Sequence, residues 1–557
     1  PKKTPAGLTY FDLHREQQVV PVQAGRDLSR CGIDVGGCPE RPESDCCGNE
    51  DRHREFVHHY FPSYFCFYSG ISIKLRHRAN GSKRRATGCV GPQSAGARVA
   101  VRRVLLKSLR RLVSLVALLP SLAFAQDAPW RLHGAIGGAD WLTIEGTHRF
   151  RYEHLDNTYR IIDPGQDEIL VSRLRLHLRA SGETFYAGFE LQDSRGWLHG
   201  DLTPVGTDDI NVLEPLRAYI GYRTATFDLT LGRMIWDMGR RRLLSRNRFR
   251  NVTNIFTGVR ATWIRPGSYT LRSWLTMPAN ALPNNLERDR LRGNEFELDQ
   301  ERKDYVFWGV NLYDWAFANG FTSEWYVLGL KEEDRPSRPS RNRNITTVGT
   351  RLLHAGDGRA IELEAVYQFG TTRATILPTD LTDIDHRAWF VHAELEQGLD
   401  GPWDPSIILR FDYATGDDDP DDGDFNRFDP LFGDRRWEYG PTGIFGALTR
   451  SNLVSPGVAL RLQPTASVDL HIDYRAAWLE SDRDFMPTAL LRDRDGNAGS
   501  FIGHQVDARW RWVPLPDNIS VELGAAYLWK GEFLEQAPFA PPPDNTMYVY
   551  FATNLTF

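Results

Sequence analysis

The chain has 557 residues, with 67 Lys+Arg against 72 Asp+Glu and a mean hydropathy of −0.43. No run of about 18 apolar residues is present to cross a bilayer as a helix, which argues against a helical membrane protein but says nothing of barrels, whose alternating strands average out in such a window. At this length the chain holds either several soluble domains or one large barrel.

All six cysteines lie before residue 90, at Cys31, Cys38, Cys46, Cys47, Cys66 and Cys89. Their spacing fits no zinc motif, and a thiol-free remainder suits passage through an oxidising periplasm. Residues 1–98 show no sustained period, and we expect them to be an over-extended start of the chain or a disordered extension. Residues 99–125 then supply a secretion signal. Arg102, Arg103, Lys107, Arg110 and Arg111 are its basic region, Leu112 to Leu122 its apolar region, and Ala123-Phe124-Ala125 its small-x-small site. Cleavage is expected before Gln126, and the apolar stretch is too short for a spanning helix. The first 125 residues hold 20 basic and 10 acidic residues, leaving 47 and 62 for residues 126–557, a net charge of −15. Only Lys303, Lys331 and Lys530 of those 47 are lysines. A GC-rich genome alone would favour arginine, but guanidinium forks also pair bidentately with carboxylates where lysine is a point charge.

From Gln126 onward the chain alternates. Val171 to Arg179 puts Leu174, Leu176 and Leu178 on one face of a strand and Arg173, Arg175, His177 and Arg179 on the other. The pattern recurs in eighteen predicted strands, centred on 141–155, 169–181, 184–193, 215–223, 226–234, 257–265, 268–276, 305–313, 323–330, 347–354, 361–370, 387–396, 406–415, 453–462, 466–478, 502–512, 519–528 and 546–557. Connections after even strands are short, such as 181–183, 266–268, 463–465 and 514–518. Those after odd strands are long, notably 277–304, 416–452 and 479–501. An even strand count with loop length segregated by parity is the signature of an antiparallel outer-membrane β-barrel, with long extracellular loops and short periplasmic turns. A sandwich or propeller would not segregate its loops this way. We therefore expect residues 126–557 to form an all-β transmembrane barrel of about eighteen strands.

With the polar face inward, the first seven strands contribute Arg149, Arg151, Arg173, Arg175, Arg179, Arg217, Arg260 and Arg272 to the lumen. Later strands contribute Arg410, Arg461, Arg475, Arg509 and Arg511 among Glu362, Glu364, Glu394, Asp412, Asp469, Asp473, Asp507 and Glu522. Arg233 and Arg242 lie where the fifth strand runs into its loop, and Arg233 is included in the expected path. Arcs of arginine favour anions in pores. About half of these charges are expected instead to pair and brace the wall, because unpaired buried charge is costly. The run Asp417 to Asp424 offers hard oxygen ligands but lacks EF-hand spacing and a bidentate Glu, so a solvated extracellular loop is expected there. His504 and Ser500 are near neighbours without a nucleophile elbow, and no catalytic role is expected for them.

The chain ends on an amphipathic strand, with Met547, Val549, Phe551, Leu555 and Phe557 on one face. That terminal Phe resembles the signal read by the outer-membrane barrel assembly machinery. Further stretches resemble the alginate export family of outer-membrane barrels: Leu231-Gly232-Arg233-Met234, Gly239, Arg242-Leu243-Leu244, Asn251, Phe256-Thr257-Gly258-Val259-Arg260, then Gln368-Phe369-Gly370, then Tyr413-Ala414-Thr415-Gly416-Asp417 and Gly423-Asp424-Phe425-Asn426-Arg427-Phe428. The similarity spans most of residues 140–557. It implies a monomeric eighteen-stranded barrel passing an anionic uronic-acid polymer through an arginine-lined lumen.

The expected function is thus an outer-membrane porin or exporter for an anionic polysaccharide or oligosaccharide. The alternative is a structural or adhesive barrel with ligand-binding loops and a closed lumen. Expected partners are that polymer, outer-membrane lipids and, during biogenesis, the assembly machinery. No nucleic acid, metal or cofactor is expected. Nothing resembles the N-terminal box or plug of an energised transporter.

Overall fold

The computed structural model describes residues 129–557 except 162–164, 247, 317–319, 336–338 and 420. The extension expected over 1–98 and the signal expected over 99–125 lie outside the described residues.

Eighteen strands make the wall. They are β1 (Leu142–Asp156), β2 (Gln166–Ser181), β3 (Phe185–Trp197), β4 (Asn211–Arg223), β5 (Phe227–Met234) and β6 (Phe256–Arg265). There follow β7 (Tyr269–Asn280), β8 (Tyr305–Ala316), β9 (Phe321–Glu332), β10 (Asn344–Gly356), β11 (Arg359–Thr372) and β12 (Ile384–Gly398). The circuit is completed by β13 (Ser406–Ala414), β14 (Leu453–Thr465), β15 (Val468–Trp478), β16 (Phe501–Leu515), β17 (Ile519–Lys530) and β18 (Thr546–Thr556). Each expected strand coincides in order with one of these. Every neighbour pair is antiparallel, and β18 closes on β1 from Thr147↔Thr556 to Asp156↔Met547. Closure is what a bilayer demands, because it leaves no sheet edge whose N–H and C=O groups would face hydrocarbon.

The two faces divide as the alternation requires. Phe150, Leu174, Leu176, Phe189, Ile220, Leu231, Leu275, Val310, Leu363, Val391, Leu409 and Ile472 are exposed on the outside. Glu190, Gln192, Thr230, Glu324, Glu364, His392, Asp412 and Gln505 are buried on the inside. For a soluble protein that arrangement would be inverted; for a wall between lipid and lumen it is the stable one.

The seam between first and last strands is fastened at two points. Phe557 donates its N–H to Gly146 O at 2.9 Å and accepts from Gly146 N at 2.7 Å. Its ring lies where a Cβ on residue 146 would sit, so the terminal Phe docks only because Gly146 has no side chain. Asn518, in the β16–β17 turn, accepts from Trp130 N at 2.9 Å and donates to Trp130 O and Thr556 O, both at 2.7 Å. The entering chain, the last strand and a short turn therefore meet on one side chain.

Candidate functional site: a lumen crossed by two loops

The long loop between β13 and β14 is largely not on the surface. Asp418, Asp419 and Asp421–Gly423 are solvated, as expected of the acidic run, but Asp417 at its head is buried and so is nearly all of Leu431–Arg450. Most described residues of the loop between β5 and β6, residues 235–255, are buried as well. The two meet at a parallel bridge between Leu244 and Phe432. There Gly433 passes so close to the carbonyl of Arg242 that any side chain would strike backbone. Trp236, Phe256, Phe307 and Phe432 pack around the crossing, with ring centroids 4.9–5.1 Å apart for Trp236–Phe256, Phe256–Phe432 and Phe307–Phe432. An apolar loop segment cannot stay in water at little cost, and here the lumen supplies its burial.

Ionic and backbone bonds then tie the crossing to the wall all round. Arg242 reaches Glu362 and Glu364 of β11 at 2.5 Å each and Glu438 of the second loop at 2.6 Å. Arg240 bonds Glu362 at 3.0 Å and Glu394 of β12 at 2.9 Å. Arg436 reaches Glu522 of β17 at 3.1 Å and the Tyr550 hydroxyl of β18. Ile444 N donates to Glu153 of β1 at 2.8 Å, and Gln505 of β16 donates to Tyr439 O at 2.9 Å. A pair of loops bonded to β1, β11, β12, β16, β17 and β18 necessarily crosses the lumen. The level of the lumen that these loops constrict is the eyelet.

Within the crossing Glu438 is the shared counter-ion, held by Arg242 and Arg450. Burial opposes its ionisation, but the two guanidiniums outweigh that and hold the carboxyl well below the usual range. At Asp209, in the loop after β3, and at Asp434, burial outweighs the neighbouring guanidiniums and acts the other way. Both are pushed up to about 7.

The expected lumenal arginines fall into two groups by the charge of what they bind. On β13 to β16 the acceptors are carboxylates. Arg410 bonds Glu394 at 2.7 Å and also Asp473, Arg461 bonds Glu396 at 2.7 Å, and Arg475 bonds Asp412 at 2.7 Å. Arg509 bonds Asp469 at 2.8 Å and lies 4.7 Å from the Trp437 ring; Arg511 is 3.9 Å from Asp469. Arg233 is likewise tied, to Glu214 and, at 2.7 Å, to Glu301. These pairs match the bracing anticipated for a share of the charges.

On β1 to β7 the acceptors are mostly neutral. Arg149 donates to Arg248 O at 2.6 Å and Arg250 O at 2.7 Å, and Arg173 to the same two carbonyls at 3.2 and 3.1 Å. Arg151 donates to Phe249 O and pairs with Glu153 at 2.6 Å. Phe249 is thereby gripped between two guanidiniums, 4.1 Å from Arg151 and 4.5 Å from Arg436. Arg175 donates to Gln192 at 2.9 Å and to Thr253, Arg260 to Thr230 at 3.2 Å, and Arg272 to the Tyr313 hydroxyl at 2.8 Å. Arg179 lies 5.8 Å from the Tyr186 ring. Of the expected residues on this side away from β1, Arg217 has a carboxylate, Glu190, at 2.9 Å, and Arg233 of β5 has the two already named. A hydrogen bond to a neutral oxygen satisfies the donor without bringing a counter-charge into contact with it.

The loop residues were not legible as site residues. Asp237, Arg246, Arg248 and Glu438 belong to segments whose length and parity place them outside the cell. Two cues pointed inward: clustered arginines at 240–242 and 435–436, and the apolar content of Leu431-Phe432 and Ile444-Phe445. His504, noted for its nearness to Ser500, bonds the Tyr474 hydroxyl at 2.9 Å through Nδ1.

Among known proteins, the profile described as alginate export matches residues 140–543. The crystal structure of Pseudomonas aeruginosa OccK8 (OprE) is similar at 10% identity and a TM-score of 0.49, covering 75% of this chain and 98% of that one. P. aeruginosa OpdO aligns at 13% identity and 0.48, covering 75% and 97%. The P. aeruginosa outer membrane protein opdK aligns at 11% and 0.48, covering 75% and 98%. No curated protein matches the chain significantly.

Proposed function

Because this chain belongs to the alginate export family, we propose that its outer-membrane channel passes an anionic polysaccharide or oligosaccharide, an alginate-like polyuronate, along the arginine-bearing side of the lumen. The observation that carries this reading is the charge of the acceptors. Arg175, Arg260 and Arg272 make no contact ion pair among the described residues and bond neutral oxygens instead. They share the eyelet with Arg173, Arg179 and Arg217, all of which we assign to the path. A carboxylate of the cargo completes such a site without first having to break an ion pair, and a succession of weak sites lets a polymer advance without being trapped. The ion-paired Arg410, Arg461, Arg475, Arg509 and Arg511 frame the opposite side.

Reversal potentials in planar bilayers test the reading. The protein should prefer anions, and uronate oligomers should interrupt its current. Replacing Arg175 and Arg179 by Ser should lower both effects; Arg173 is kept because it also holds the first loop. Cation preference in the parent would reject the path. One observation favours the closed, loop-binding alternative, namely the burial of Leu431–Arg450 inside the barrel, and absence of any conductance would select it.

A further inference from the structure

Two partly exposed arginines of the first eyelet loop are gathered by one carboxylate. Asp237 accepts from Arg246 N at 2.7 Å through Oδ1, and through Oδ2 from Arg246 Nε at 2.9 Å and Arg248 Nη2 at 3.0 Å. Its backbone carbonyl lies 3.4 Å from Arg272 Nη1. The side chain of Arg246 keeps 32% of its surface exposed, and those of Asp237 and Arg248 keep 18% each. The cluster is therefore partly open to solvent, whereas Arg242 and Glu438 are sealed in the crossing. Arg175 of the wall has Glu190, Arg217 and Arg246 as its charged neighbours. One carboxylate between two guanidiniums leaves one positive charge unbalanced, and it stands where the cargo's own carboxylates would bind.

We propose that Asp237 is a built-in stand-in for the cargo carboxylate: it occupies Arg246 and Arg248 when the eyelet is empty and is displaced from them, then returns, as each acidic sugar passes. This rests on the polyuronate reading above and gives it a release step. Arginines without a competitor would hold each carboxylate until thermal escape. A tethered carboxylate at high effective concentration recaptures the guanidiniums as the cargo moves on, which shortens each stop. The exchange is between like groups, so charge is conserved at every step. The backbone bond from Arg246 N stays available to anchor the turn while Oδ2 swings away.

The test is the residence time of a uronate oligomer in single-channel recordings of the full protein. Asp237→Asn keeps an oxygen for the Arg246 N–H but removes the competing charge. It should lengthen blocking events by about tenfold, the equivalent of about 1.4 kcal/mol, and slow net passage of oligomer between compartments. Asp237→Glu, which restores the charge, should bring residence back toward the parent value. Glu396→Gln removes the same charge from the pair with Arg461 on the opposite side and should leave residence unchanged. Neutral oligomers of equal length should show no difference among the variants. Equal lengthening by Asp237→Asn and Glu396→Gln would overturn the local exchange in favour of the lumen's overall field. Unchanged residence in Asp237→Asn, with the parent still blocked, would overturn the stand-in and leave the polyuronate path intact. A parent that uronate does not block would instead overturn the path itself.

Discussion

Replacing Arg242 with Met should unfasten the eyelet while leaving the wall standing. Arg242 is 2% exposed and makes ionic contacts to three carboxylates, Glu362, Glu364 and Glu438. Removing one partner of a buried ion pair costs about 3–5 kcal/mol, because the remaining charge is stranded away from water. Here the stranding is shared. Glu362 retains Arg240 and Arg351, Glu364 retains the Tyr326 hydroxyl at 2.6 Å, and Glu438 retains Arg450. The lower figure, about 3 kcal/mol, is therefore appropriate, and nearly all of it falls on the docked state of the loops, since detachment returns Glu438 to water. At about 1.4 kcal/mol per decade, the time the loops spend detached should rise by about a hundredfold. Single-channel recording should show larger, noisier openings, and a protease added from the long-loop side should cut within 431–450. Glu438→Gln in the same chain should recover part of the loss. A folded Met variant with parental conductance and noise would refute the claim that these contacts hold the crossing in place.

Gly146→Val should impair closure of the barrel, because its side chain would take the space of the Phe557 ring across the β1–β18 seam; a cost of about 1–3 kcal/mol should appear as a smaller heat-modifiable folded fraction on gels. In the second loop, burial beside Asp484 pushes Asp417 up to about 6, above its unfolded value of about 3.9. The folded state thus binds that proton more tightly, and stability falls as pH rises from about 4 to about 6. Asp417→Asn keeps an acceptor for Asn426 N and should slow proteolysis of this loop at pH 7.5, with the advantage disappearing near pH 4. On intact cells, an Asp-directed protease should cut at Asp418, Asp419, Asp421 or Asp422, which are exposed, and spare the turn at 516–518; cleavage confined to that turn would invert the orientation.

What the sequence determined by itself was the wall. A strand turns alternate side chains to opposite faces, so the leucines and arginines of β2 declare lipid and lumen without knowledge of any neighbour. The parity of loop lengths then orders the strands, and the eighteen expected segments recur in the structure. The family, too, was legible from short motifs around Gly232-Arg233 and Gly416-Asp417, which lie at the mouths of the two loops that cross the lumen. Those loops are where sequence reading stopped. Their destination depends on contacts between residues far apart in the chain, such as Arg242 with Glu362 and Glu438, or Ile444 with Glu153. No periodicity records such contacts. Tertiary structure also sorted the arginines. Arg175 and Arg461 look alike in their strands, yet one meets Gln192 and Thr253 and the other Glu396. A guanidinium opposite a neutral oxygen keeps its field, and one opposite a carboxylate loses it; which of the two a strand arginine meets is decided only when the barrel closes and its loops fold in.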